Sequence, residues 1–317
     1  MLHLRVVCPA PSTPAVLEVL RAEPGAANVT VHVGTVVQPP GDLVEADVAR
    51  EAVDAVLRRL RGLGVLEHGS LVLEPIDTAL GAEVERAERD APGQGDDALV
   101  WDQLVKAADG GTTSSAAFYS FLVLATLIAG VGLLTDSTVL IVGAMVLGPE
   151  FGPLAALAVA VVRRRRDLVP GPLRALGLGF PLAIALTAAA VAGLDAVGLV
   201  PEEFVQGRRP LTSFVASPDA FSVIVALLAG VAGTLSLTAG KSGPLVGVFI
   251  SVTTVPAAAD VAAGLVTGQT GTALGAAVQL VVNLSCILLA GVLTLLVQRT
   301  YWRRVHRDGR PVPVRVP

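Results

Sequence analysis

Two acids stand inside long apolar stretches of this chain, each beside prolines that disrupt a continuous helix. The first is Glu150, in the run Gly148-Pro149-Glu150-Phe151-Gly152-Pro153. Pro149 and Pro153 each lack a backbone donor, and the glycines permit dihedrals closed to other residues. The second is Asp260, four residues after Pro256, with Thr253 and Thr254 just ahead of that proline. A charge at the centre of a bilayer costs about 2.5–3.5 kcal/mol on insertion scales, so such an acid faces a cavity or stays protonated. Gln279 and Asn283, one helical turn apart in a later apolar stretch, can line the same cavity. The chemistry implied is binding of an ion, a proton or a small polar solute between two broken helices. A plainer reading stays open, in which Glu150 snorkels from a shallow re-entrant hairpin and Asp260 caps a helix or pairs locally.

No catalytic set accompanies these residues. The chain has no GxSxG elbow, no HExxH and no phosphate-cradling glycine loop followed by Lys-Ser/Thr, so an enzyme is not expected. His3, His32 and His68 lack metal-ligand spacing, and neither a metal nor another cofactor is implied. Cys8 and Cys286 lie far apart and make no disulfide framework. A formal net charge of −4 argues against a nucleic-acid partner.

Composition identifies the medium that surrounds the acids. Apolar residues make up 53% of the 317 positions and charged residues 16%. Soluble domains average about 45–50% and about 25%. Candidate spans of the length a bilayer requires are Phe118–Leu134, Thr138–Val162, Leu173–Leu199, Ala220–Ala239, Pro244–Thr267 and Thr272–Val297. The sequence thus predicts an α-helical polytopic membrane protein of six transmembrane helices over residues 118–298. The second and fifth spans carry the proline breaks.

Lys/Arg bias sets the expected orientation. Arg163, Arg164, Arg165 and Arg166 lie between spans two and three, and Lys241 lies in the next loop of the same parity. The basic tail, residues 299–317, falls on that side too. The chain opens without a signal peptide pattern, and the N- and C-termini are expected in the cytoplasm. The four arginines either set topology alone or also bind anionic lipid.

The two halves resemble each other. Leu127-Ile128-Ala129-Gly130-Val131, then Val142-Gly143, then Pro149 recur as Leu227-Leu228-Ala229-Gly230-Val231, Val246-Gly247 and Pro256. Three spans per half force the copies into opposite orientation, so the reading is a pair of inverted three-helix repeats with broken second helices. Transporters with that arrangement place their sites where the breaks meet. Asp136 and Ser137, between spans one and two, are expected to cap the second helix. Gly148/Gly152 and Gly243/Gly247 have the spacing of close helix packing.

Residues 1–80 read differently. Strands are predicted at Leu2–Val7, Asn28–Val37, Asp42–Val48 and Ser70–Leu73, with helices at 13–23 and Arg50–Leu63. The order β-α-β-β-α-β predicts an α+β ferredoxin-like soluble domain. Residues 81–117 are expected to be a linker broken at Pro92-Gly93, then an interfacial amphipathic helix over Asp97–Ala108 with Trp101 and Lys106.

The run Leu133–Pro153 (LLTDSTVLIVGAMVLGPEFGP) resembles the signature of the DUF389 family of uncharacterized hydrophobic-domain membrane proteins, through Asp136, Ser137, Gly143, Ala144, Met145, Pro149, Gly152 and Pro153. Leu245–Leu265 resembles a second family block. Gly148, Glu150, Val255 and Asp260 depart from the family pattern, so the acids are read as features of this member. The resemblance implies an inner-membrane protein of unassigned activity. The leading functional expectation is transport of a small solute or ion, with the head regulating or assembling a homo-oligomer. An oligomeric cation channel with Glu150 as a ring, or a membrane-anchored ligand sensor, are the alternatives.

Overall fold

A computed structural model of the protein describes residues 1–76, 78–91, 101, 104, 105, 115–213, 219–239 and 254–308, with side chains through 301. The chain divides into two compact units, Met1–Gln103 with Gln298–Pro317, and Leu104–Val297.

In the first unit the strands are β1 (Leu2–Cys8), β2 (Ala26–Val37), β3 (Pro40–Val48) and β4 (Ser70–Pro75). Helix α1 (Thr13–Arg21) joins β1 to β2, and α2 (Arg50–Gly62) with the short α3 (Val65–His68) joins β3 to β4. The sheet is antiparallel throughout, in the order β2-β3-β1-β4. Strand alternation sends Leu2, Leu4, Val6 and Cys8 of β1, with Val44, Ala46 and Val48 of β3, to one buried face. That face takes the apolar stripe Val53, Val56, Leu57 and Leu60 of α2, together with Val16 and Leu20 of α1.

The linker reading of residues 81–117 is corrected at its start. Ala82–Asp90 is a helix, α4, and it buries Val84 and Ala87. Two apolar residues three apart on an otherwise charged sequence suffice for one docked turn. Most of the expected Asp97–Ala108 helix, Lys106 included, lies outside the described residues.

In the second unit, α5 (Ala116–Leu134), α8 (Pro170–Ala196), α10 (Ala220–Thr238) and the part of α12 (Thr270–Asp308) up to Val297 are long and apolar. Each has the length and composition to cross a membrane. Between α5 and α8 lie α6 (Thr138–Leu147) and α7 (Phe151–Arg163), bent by 51° and together able to make a fifth crossing. The break has a local cause. Gly148 precedes Pro149 and adopts the extended backbone (ψ 119°) that a following proline favours. Pro153 then sits in the first turn of α7, where its missing N–H costs nothing.

A short α9 (Glu202–Val205) lies between α8 and α10. Of the expected fifth span, Pro244–Thr267, the described residues hold helix α11, Val255–Val266, with Pro256 in its first turn. Gly243, Gly247, Lys241 and Thr253 lie outside them. Helix α11 is buried on all sides from Val255 to Gly264, as an alanine-rich helix enclosed by other helices must be. It turns at Thr267–Gln269 into α12, and Gly264 and Ala273 meet across that turn.

Helices α5 and α10 are each 19 residues long and start 104 positions apart. Their caps match: Ser115 accepts from the Phe118 amide, and Asp219 from the Ser222 amide. Helices α7 and α11 also start 104 positions apart, at Phe151 and Val255.

Candidate functional site

Glu150 occupies the position before α7 and Thr254 the position before α11. Both are fully buried, and the Thr254 hydroxyl donates to Glu150 Oε1 at 2.5 Å. Two helix N-termini therefore converge on one carboxylate, whose negative charge their dipoles favour. The ten helical residues of α6, followed by Gly148 and Pro149, separate Glu150 from the turn at 135–137, and the twelve of α11 separate Thr254 from the turn at 267–269. At about 1.5 Å per residue these are descents of about 15 and 18 Å, half of a hydrocarbon layer of about 30 Å.

Asn283 is fully buried and Gln279 nearly so. Gln279 Nε2 donates to Asn283 Oδ1 at 3.2 Å, and Gln279 Oε1 has no hydrogen-bond partner among the described residues. Counted along α11 and α12 from the Gly264–Ala273 contact, Asn283 comes level with Thr254, ten residues away in each helix. Val255, Leu280 and Leu284 share one apolar cluster, in keeping with that register. The level of Glu150 thus carries a carboxylate, a hydroxyl and two amides in an apolar surround, groups that can exchange a proton or replace the hydration of a small polar solute.

Asp260 lies apart from this set. It is six residues beyond Thr254, and its partner is Arg209: Nη1 to Oδ1 at 2.6 Å and Nη2 to Oδ2 at 3.0 Å. The guanidinium also lies over the Phe204 ring, 5.2 Å from its centroid. Arg209 is 5% exposed and Asp260 0%, so the loop that carried Arg208 and Arg209 in the sequence enters the protein. Nothing in the periodicity of either segment signals a contact between residues 51 apart.

Asp136 and Ser137 have separate tasks. Ser137 caps α6, accepting from the Leu140 amide at 3.4 Å. Asp136, with φ +47°, accepts instead from the Leu211 amide at 3.2 Å and the Thr212 hydroxyl at 2.8 Å. Arg164, Arg165 and Arg166 line a separate cavity with Ala160, Val161 and Val169 at the far end of α7.

In the first unit the histidines are less scattered than their sequence positions imply. His3 Nδ1 meets Asp47 Oδ1 at 2.7 Å, and His3 Nε2 and His32 Nε2 approach Glu45 at 3.6 and 3.3 Å. Arg5 also reaches Glu45, and Asn28 donates to Asp47. Strand pairing of β1, β2 and β3 brings them together on the sheet face away from α1 and α2. Among the described residues no group of His, Cys, Asp and Glu has the geometry of a metal site.

The Asp47 hydrogen bond raises the His3 pKa above the ordinary imidazole value of about 6.5. A raised folded-state pKa contributes stability fully present below about pH 6.5 and lost as pH rises through the folded value. His3→Gln is therefore expected to flatten the fall in melting temperature of the full chain between about pH 6 and 8. An unchanged pH slope in the variant would remove His3 as its source.

The family model described as Domain of unknown function (DUF389) matches residues 145–289. That stretch includes Glu150, Thr254, Asp260, Gln279 and Asn283, and it takes in the end of the first motif from Met145 to Pro153 and the whole block Leu245–Leu265. The uncharacterized protein MJ0678 of Methanocaldococcus jannaschii is 27% identical over 186 residues, 59% of this chain and 54% of that protein. The chain thus spans about half the length of this relative. No solved structure matches.

Proposed function

We propose that this DUF389 protein is a membrane transporter of a small solute or ion, built as an inverted repeat with its site at the Glu150–Thr254 junction. The observation that carries the reading is that hydrogen bond. Its two partners are equivalent positions in a frame of 104 residues that also relates α5 to α10, their caps, and α7 to α11. A contact between equivalent positions lies on the pseudo-two-fold axis of a repeat. In the same frame, the contact of Gly130 with Thr187 recurs, with its residues exchanged, as Thr234 with Gly291. Midplane junctions of broken helices related in this way are where transporters hold their substrates. Non-helical backbone at such depth survives only where protein or a water-filled cavity shelters it. The expected setting is an inner membrane with both termini cytoplasmic, and the head regulates the spans or assembles a homo-oligomer.

The test is electrical. Purified protein reconstituted on a solid-supported membrane is expected to give transient currents on ion, proton or solute jumps. Glu150→Gln, which keeps the shape and removes the titratable oxygen, is expected to abolish them. A current of undiminished size in Glu150→Gln would discard the site. Silence of the folded wild type across a broad solute panel would discard transport and favour the sensor reading.

A further inference from the structure

The segment 200–213, between α8 and α10, is tied down at three places. Asp136, in the turn between α5 and α6, holds the Leu211 amide and the Thr212 hydroxyl. Gln269, in the turn between α11 and α12, donates to the Phe204 carbonyl at 2.8 Å and to the Val205 carbonyl at 3.4 Å. Arg209 reaches deepest, to Asp260 within α11. Phe204 and Thr212 are buried with it, at 2% and 0% exposure. The turns at 135–137 and 267–269 close α5/α6 and α11/α12 at one end of the unit, so the segment covers that end. Asp260 lies between this cover and Thr254, about 9 Å along the helix from the junction.

A buried ion pair is a costly way to hold a loop. Removing two charges from water offsets much of their attraction, and an apolar plug of the same volume would be as stable. What a pair of opposite charges adds is a closure that is all or nothing, because the parted groups are strongly disfavoured until each finds water. The pair also has no twin. Ala156 stands 104 positions before Asp260, and it too is fully buried. The end of the unit near Arg163–Arg166 thus lacks this acid.

We infer that residues 202–212 form a gate over the Glu150–Thr254 junction, with Arg209 as its latch on Asp260, closed on the side opposite Arg163–Arg166. The gate rests on the transport reading for its purpose, but it is observable without any solute. Because among the described residues one end carries the latch, the proposed resting state is closed to the outside.

The reporter is Ala257→Cys, fully buried between Thr254 and Asp260, in full-length protein whose Cys8 and Cys286 are replaced by alanine. A membrane-impermeant maleimide is applied to intact cells, and the labelling rate is compared with the latch closed and with the latch removed. Arg209→Gln paired with Asp260→Asn leaves no unpaired charge, so that double variant folds as a test protein even where a single variant does not. The double variant is expected to label at least about tenfold faster than the parent, a modest shift for a lost latch. Equal rates in parent and double variant, with folded protein in the membrane, would overturn the gate and leave the ion pair a packing device. Faster labelling only from the cytoplasmic face of inverted vesicles would overturn its sidedness. Faster labelling from outside in a protein that carries no current would keep the gate and sink the transport reading.

Discussion

Asp260→Asn will cost this protein about 3–5 kcal/mol, the range for stripping one partner from a buried ion pair. The amide keeps the shape of the carboxylate, so α11 stays packed and no cavity opens. What changes is the balance of charge. The guanidinium of Arg209 is left without its carboxylate partner. It is 5% exposed, held between the former carboxylate and the Phe204 ring. A ring face recovers only part of what the carboxylate gave. The loss is expected as a fall of roughly 10 °C in the midpoint of thermal unfolding in mild detergent. Arg209→Gln added to Asp260→Asn should recover most of it, since removing both charges also removes the desolvation cost. A single variant that melts within a degree of the parent would mean that water reaches Arg209, and the segment 200–213 would then not be a closed cover.

What could be read beforehand depended on how local each cause is. The break at Gly148-Pro149 was legible because proline acts on its own backbone and on the residue before it. The strands of the head were legible because alternation with period two is a property of the segment alone, as in Asn28–Val37. Helix α4 is not legible in that way: Val84 and Ala87 make a weak stripe on a charged sequence, and only the surface beneath them makes the helix worthwhile. The Arg209–Asp260 pair joins two segments 51 residues apart, and each residue alone has an ordinary local explanation.

The sequence match and the helix bounds give different registers for the proposed repeat. The Leu-x-Ala-Gly-Val match sets Gly130 against Gly230, 100 positions apart, whereas the helix bounds and caps give 104. The difference is one helical turn. Small residues repeat at that spacing along any tightly packed membrane helix, so composition alone cannot fix the phase. The Val-Gly match of Val142-Gly143 with Val246-Gly247 does fall on 104. In the frame of 104 positions the residue that answers Glu150 is Thr254 rather than Asp260, and this is the pairing the proposed repeat rests on.

Gly230→Val should be as damaging as the loss of Asp260, by a different route. A Cβ at Gly230 would lie 2.7 Å from the Ile287 carbonyl oxygen, 2.8 Å from Ala290 Cβ and 3.0 Å from Ile287 Cα. Two of these three atoms belong to the backbone of α12, so no rotamer change can relieve them. Helix α10 would have to move away from α12. Dispersion contacts fall off steeply over the first ångström of separation, and lipid tails offer no hydrophobic force to draw the helices back. Overpacking of a soluble core costs about 1–3 kcal/mol. Here the displaced neighbour is a whole helix, and the upper end of that range is expected. Ala226 and Ala229 of α10 pack with Leu154 of α7 and Ile287 in one cluster, so the shift also loosens the helix that Glu150 begins. Gly143→Val is the matched control, since a Cβ there meets nothing within 4 Å. The expected result is a large loss of folded protein on size exclusion for Gly230→Val and parent behaviour for Gly143→Val. Equal behaviour of the two would show that α10 and α12 do not approach as closely in the membrane as the contact at Gly230 requires.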